Sequence, residues 1–115
     1  MGEWKIVIAD GFSPRFNKMR KRDPQETTAV MTNLDRYKNA LDDGGIPQNV
    51  SAGYIHPEKK GVIAIDQSGS SGAQLRLYLV PQSQEIHLIT IGDKRSQQED
   101  IRTAHEYVKR QRRGK

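Results

Sequence analysis

Leu75-Arg-Leu-Tyr-Leu-Val-Pro81, Gln82-Ser83, Gln84-Glu-Ile-His-Leu-Ile-Thr-Ile91 is the stretch that decides the fold. Each half alternates apolar residues with others at the two-residue period of a strand, and the pair reads as a β-hairpin. With Gln82–Ser83 as the turn, Pro81 faces Gln84 and the register is set. One face then carries Leu75, Leu77, Leu79, Ile86, Leu88 and Thr90, which is apolar enough to take helices. The other carries Arg76, Tyr78, Val80, His87, Ile89 and Ile91. In this register Tyr78 lies opposite His87, with Arg76 two residues along.

Downstream, Ser96-Gln-Gln-Glu99 has the form of a capping box, which starts a helix. Ile101, Ala104, His105 and Val108 form its narrow inward stripe. Lys109, Arg110, Arg112 and Arg113 follow, where the helix dipole favours cations. Upstream, Val62–Asp66 predicts a short strand, with Val62 and Ala64 on one side and Ile63 and Ile65 on the other. Gln67-Ser-Gly-Ser-Ser-Gly72 between them reads as a loop. Residues 44–60 are punctuated by Pro47, Gly53 and Pro57 and carry no regular period.

At the start, Glu3–Ala9 alternates as a strand. Ser13–Pro14 offers a cap and a first-turn proline for a short helix that turns Phe12, Phe16 and Met19 inward. Asp23–Pro24 opens a second helix, with Glu26 placed for a capping box. Val30, Leu34, Tyr37 and Leu41 recur at amphipathic spacing until Asp42-Asp-Gly-Gly45 stops it. The predicted order is strand, helix, helix, strand, strand, strand, helix. This is a small α+β domain spanning 1–115, with an antiparallel-dominated sheet, an N-terminal helical hairpin, a C-terminal helix and a basic tail from about residue 109.

Composition narrows the function classes. The chain has 115 residues, 34% hydrophobic and 29% charged, with a net charge of +5 and no cysteine. Disulfides, thiol catalysis and cysteine-ligated metals are excluded. No apolar run is long enough to cross a membrane, the first residues do not have the form of a signal peptide, and a cytoplasmic setting is expected. His56, His87 and His105 have no recognised metal-ligand spacing, and no phosphate-binding glycine fingerprint exists. No cofactor and no metal are expected.

The charge is unevenly spread. Residues 14–22 carry +5, residues 23–58 carry −4 and residues 93–115 carry +4. Two basic blocks folded onto one face would make a polyanion footprint; a solvated helix face with a basic tail is the other reading. Arg, Lys, Tyr and His without a metal suit a phosphodiester. Arg pairs with nonbridging oxygens as charge builds, and His or Tyr moves protons. RNA brings its own nucleophile in the 2′-hydroxyl. Binding without cleavage needs the same cations.

The segments Leu75-Arg-Leu-Tyr-Leu-Val, Glu85-Ile-His-Leu-Ile-Thr-Ile-Gly-Asp-Lys-Arg-Ser, Asp100-Ile-Arg-Thr-Ala and Val108-Lys-Arg carry a resemblance. Over roughly a third of its length the chain resembles the RelE/ParE toxin superfamily, close to RelE-type and HigB-type toxins. The resemblance implies a ribosome-dependent mRNA endoribonuclease that promotes 2′-hydroxyl attack without metal and is neutralised by an antitoxin protein. Arg76 matches the family's strand arginine at the scissile phosphate. Lys94 or Arg95 matches the basic position after the last strand. His105 stands one turn beyond Ile101, which occupies the place of a tyrosine in some members. Family members carry lysines on the strand before the arginine strand. Here that strand reads Gly61-Val-Ile-Ala-Ile-Asp66, and Lys59 and Lys60 stand just ahead of it.

The candidate catalytic residues are therefore Arg76, Lys94, Arg95 and His105. Lys59, Lys60, Arg76, Lys94, Arg95, Lys109 and Arg110 are the candidate nucleic-acid ligands. Each has a plain alternative: Arg76 as an ion-paired strand residue, His105 as a core-edge histidine, Lys59–Lys60 as a solvated loop. A noncatalytic nucleic-acid or protein-binding module and a gyrase-directed toxin remain as alternative functions.

Overall fold

The computed structural model describes residues 2–68 and 72–113. The chain runs β1 (Lys5–Ile8), α1 (Phe12–Arg22), α2 (Pro24–Asp42), β2 (Ile55–Pro57), β3 (Ile63–Asp66), β4 (Leu75–Gln82), β5 (Glu85–Asp93) and α3 (Gln97–Arg113). The five strands form one sheet in the order β1-β5-β4-β3-β2. Every neighbouring pair is antiparallel except β1 with β5, which is parallel. A parallel pair needs a long crossover, and the helical hairpin begins it here.

The sheet is covered on both faces. Phe12 and Met19 of α1 and Val30, Leu34, Tyr37 and Leu41 of α2 pack on Ile63, Ile65, Leu75, Leu77, Leu79, Ile86, Leu88 and Ile91. Phe12 and Phe16 stack at 5.8 Å. On the other face Ala104 and Val108 of α3, with Ile101 and Tyr107 partly buried, cover Val62, Ala64, Tyr78, Val80 and Ile89. Val62–Ile65 therefore splits between the faces as its alternation predicts. Ile6 and Ile8 on the edge strand β1 stay exposed.

The hairpin register differs from the expected one. Gln82 pairs with Glu85 and Pro81 with Ile86, so the turn is Ser83–Gln84. Both turn residues take positive φ, 53° and 60°. Two such residues give a turn whose twist matches that of the strands, which Gln82–Ser83 does not achieve. Sliding the turn by one shifts each pairing by two, so the faces survive but the partners change. His87 faces Val80, not Tyr78. A bulge follows: Leu79 pairs with Leu88 and Tyr78 with Thr90, leaving Ile89 as the extra residue. The bulge exchanges Thr90 and Ile91. Ile91 joins the core under the helical hairpin, and Thr90 sits across from Tyr78. Replacing Ser83–Gln84 by Asn–Gly should relieve the left-handed backbone and stabilise the protein by about 1 kcal/mol. Thermal unfolding would register this as a raised midpoint; an unchanged or lowered midpoint would show that the turn is unstrained.

The helix starts also differ. Gly11, at φ 86°, caps α1 in place of Ser13. Asp23 precedes α2, but its side chain makes no cap bond and instead meets Arg22 at 2.9 Å. The anticipated cap of α3 moves back by three residues. Asp93 accepts from the N–H groups of Arg95 and Ser96 across a 3₁₀ turn, Lys94–Ser96, that leads into the helix. Burial opposes ionisation of Asp93 as the largest single effect. Hydrogen bonds from Arg95, Arg22 and the backbone nonetheless hold its carboxyl below the usual range.

Ser96 is used differently. Its hydroxyl donates to Asp100 at 2.7 Å, and Asp100 pairs with Arg15 of α1 at 3.1 Å. Arg15 also donates to the Ile91 carbonyl at 3.2 Å. Burial raises the Asp100 carboxyl, while Ser96 and Arg15 oppose that rise. Arg22 reaches Asp93 at 2.8 Å. Two cations of the first basic block thus tie α1 to the base of α3 around the end of the sheet. The two basic blocks do not share one face, because α1 lies on one side of the sheet and α3 on the other. The middle of the 67–72 loop, residues 69–71, lies outside the described residues, as do residues 114–115 of the basic tail. Among the described residues no helix is long and apolar enough to cross a membrane.

Candidate nucleic-acid interface

Alternation along β4 puts Arg76 on the α3 face, between Asp66 of β3 and Gly92 of β5. The room left by the absent side chain of Gly92 is taken by Asp100, Ser96 and Arg15, so the guanidinium lies beside that cluster. A cavity of about 230 Å³ lies at this end, lined by Gln74, Arg76, Asp93, Lys94 and Gln97. Further along α3, a cavity of about 310 Å³ is lined by Lys60, Gln98, Ile101, Arg102, His105, Glu106 and Lys109. A third, about 240 Å³, shares Lys60, His105 and Lys109 and adds Val108 and Arg112. Positions 97, 101, 105, 108 and 112 follow helical spacing. The second and third cavities share one flank of α3 as a groove, with Lys60 of the β2–β3 turn on its other wall; the first lies at the start of the same helix.

Among the described residues, Lys60, Lys94, Lys109 and Arg112 have no ion pair. Lys60 sits in a left-handed backbone conformation, φ 62° and ψ 31°, inside the 3₁₀ turn Lys59–Gly61. Arg76 stands 3.8 Å from the Glu58 carboxylate, too far for a hydrogen bond. A half-exposed pair at that distance is weak and exchanges readily for a phosphate. His105 Nε2 is buried with no protein partner.

The candidate residues divide. Lys60, His105 and Lys109 line the groove, and Arg76 and Lys94 line the cavity at the start of α3. Arg95 is 82% exposed, bonds to Asp93 at 3.1 Å, and faces a neighbouring depression with Arg22 and Asp23. Lys59 is exposed in the β2–β3 turn and lines none of the three cavities. Arg110 is exposed and acts on Tyr107, on the far flank of α3. There His87 bonds to the Tyr107 hydroxyl at 2.5 Å and to Glu85 at 3.0 Å. His87 is buried and pins the helix to the sheet. Tyr78 is buried under α3, and burial above all pushes its hydroxyl up to about 12, so it stays protonated at neutral pH.

One pair has no counterpart among the sequence candidates. His56 of β2 meets Asp66 of β3, Nε2 to Oδ2 at 2.6 Å. Asp66 is fixed from three further sides. Its Oδ1 accepts the Ser68 N–H at 2.8 Å, its carbonyl accepts Asn33 Nδ2 at 2.8 Å, and its N–H donates to the Tyr54 carbonyl at 3.0 Å. Asp66 is also the Cα partner of Arg76. Nothing in the sequence pointed here, because the contact depends on β2, a three-residue strand inside the irregular segment 44–60.

Among the described residues no group of three or more His, Asp or Glu is arranged to hold a metal ion. A larger cavity, about 500 Å³, lies on the helical-hairpin side near the β4–β5 turn. It is lined mainly by Trp4, Pro47, Val50, Ile55, Ile63 and Pro81, and Glu58 is its one ionisable group. It has the apolar walls of a ligand site but lacks converging polar groups. No protein-family model and no curated protein matches the chain.

Proposed function

We propose that the chain is a metal-independent endoribonuclease of the RelE/ParE toxin kind, acting on mRNA at the ribosome and neutralised by an antitoxin protein. The observation that carries this reading is Arg76, which lies with Lys94 at the start of α3, the helix along which Lys60, Lys109 and Arg112, none of them ion-paired among the described residues, line a groove. A single strand of RNA laid along α3 would meet Lys94 and Arg76 first, then Lys60, Lys109 and Arg112. The guanidinium fork suits the two nonbridging oxygens of one phosphate, where negative charge grows during attack by the 2′-hydroxyl. The lysines neutralise flanking phosphates without reading sequence. An acidic antitoxin segment would fit the same groove by charge complementarity and associate quickly.

The test is expression in bacteria with mRNA ends mapped by primer extension. New in-frame ends on translated messages support the reading; intact mRNA overturns it. A second measurement weighs the groove by itself. Lys109→Ala with Arg112→Ala should weaken single-stranded RNA binding about equally across sequences. It should also flatten the salt dependence by about 1.4 in log–log slope, at roughly 0.7 per phosphate contact. An unchanged slope would move the RNA off this flank of α3.

A second reading, noncatalytic RNA binding on the same groove, is favoured by one observation. The strand before β4, Ile63–Asp66, carries no lysine. Salt-dependent binding with intact mRNA would select it.

A further inference from the structure

We infer that His56 is the general base of this site and that Asp66 is its positioning residue; this rests on the ribonuclease reading above. The argument begins with hydrogen-bond chemistry. An ionised carboxylate only accepts, so the 2.6 Å contact from Nε2 to Asp66 Oδ2 places the ring proton on Nε2. In the neutral ring Nδ1 then carries the lone pair. Among the described residues Nδ1 has no protein partner, and it is not among the buried unpaired atoms. The side chain is 32% exposed, which leaves that lone pair open to a ligand.

Asp66 cannot swing away, because the Ser68 N–H holds its other oxygen and Asn33 of α2, itself buried, holds its carbonyl. The register then sets the dyad beside the phosphate ligand, since Asp66 and Arg76 are Cα partners on adjacent strands. The arrangement is a base and a group that orients it, with a cation on the strand beside the orienting group, which is the pattern expected of a proton-transfer site. Nδ1 takes the proton of the 2′-hydroxyl as its oxygen bonds to phosphorus. The bond from phosphorus to the 5′-oxygen breaks, and that oxygen takes a proton from water. A 2′,3′-cyclic phosphate and a 5′-hydroxyl result, with no change in oxidation state.

The experiment is single-turnover cleavage of mRNA on programmed ribosomes, with RNA binding and melting temperature measured alongside. His56→Gln should lower the rate by about 10²-fold and leave binding and melting unchanged. Asp66→Asn presents an amide N–H toward the ring and moves the ring proton to Nδ1. It should lower the rate on the order of tenfold and switch the tautomer seen in nitrogen-15 imidazole spectra. Those spectra need no activity, so they test the dyad even where a rate is small. Wild-type protein with the Nδ1–H tautomer would overturn the assignment. So would His56→Gln cutting at the wild-type rate while Arg76→Ala is inactive, and the nuclease reading would then survive without the dyad. Wild-type protein that cuts no message overturns both.

Discussion

On the proposed ribonuclease reading, Arg76→Ala is expected to lower single-turnover cleavage of ribosome-bound mRNA by about 10²- to 10³-fold, the loss seen when one preorganised donor to a developing oxyanion is removed. Stability should stay within about 0.5 kcal/mol of wild type. Arg76 is only partly buried, and its contact with Glu58 at 3.8 Å is long and half-exposed, so little else rests on it. In cells the variant should no longer arrest growth. Arg76→Lys should fall between the two, because an ammonium keeps the charge but not the planar fork. The measurement is the rate with bound RNA in excess over its dissociation constant, which separates chemistry from affinity. An alanine variant that cuts at the wild-type rate would return Arg76 to the role of a surface strand residue.

Gly92→Ala is the larger structural perturbation, for a reason that also explains the first residue of Gly92-Asp-Lys-Arg95. A β-carbon at position 92 would overlap the Asp100 carboxylate and the Ser96 hydroxyl, and would press on the Arg15 guanidinium at 2.7 Å. Those three groups bond to one another and join α1, β5 and α3. Asp100 is almost fully buried and has nowhere to retreat. Overpacking of this kind typically costs about 1–3 kcal/mol. Disturbing a buried carboxylate's hydrogen bonds adds to that. The predicted outcome is a melting temperature lower by several degrees, with faster hydrogen exchange in the first turns of α3. Groove function should fall too, because Lys94 and Gln97 stand at that end of the helix. A Gly92→Ala protein as stable as wild type would mean that the carboxylate and hydroxyl rearrange freely, and that the latch contributes little.

Much of the architecture was legible because alternation and helical spacing are strong signals. Val30, Leu34, Tyr37 and Leu41 all lie in the core, as their spacing predicts. The hairpin faces were readable up to the bulge. The bulge itself was not, because Ile86–Ile91 is apolar on both faces and no residue marks Ile89 as the extra one. The turn was misplaced by one because neither Gln82–Ser83 nor Ser83–Gln84 contains the glycine or asparagine that normally fixes such a turn. Asp93 and Ser96 are both competent caps three residues apart, and only the 3₁₀ turn between them decides which is used.

The interface was legible in part. Arg76 and Lys94 share one cavity, and Lys60, His105 and Lys109 another, because the alternation of β4 and the spacing along α3 fix which way these residues face. Arg95 and Arg110 share their charge but sit one residue further round, on neighbouring surfaces. Arg112 was seen only as tail charge, although helical spacing carries it into line with His105. His56 and Asp66 could not be paired in advance. They lie on two strands, one of them three residues long, and a register rather than a motif brings them together.

The parallel seam between β1 and β5 bears on how the chain is made. Lys5 meets Glu85 and Ile8 meets Leu88 across roughly 80 residues of intervening sequence. At about 5–20 residues per second, β1 waits roughly 4–16 s after its own synthesis before its partner exists. During that interval Ile6 and Ile8 offer an apolar ribbon to whatever waits near the nascent chain. The antiparallel strands close locally, but this seam must await the later part of the chain and forms late in the order of assembly. A cell that delays its completion, by a slow codon or a captured β1, would leave that edge of the sheet open.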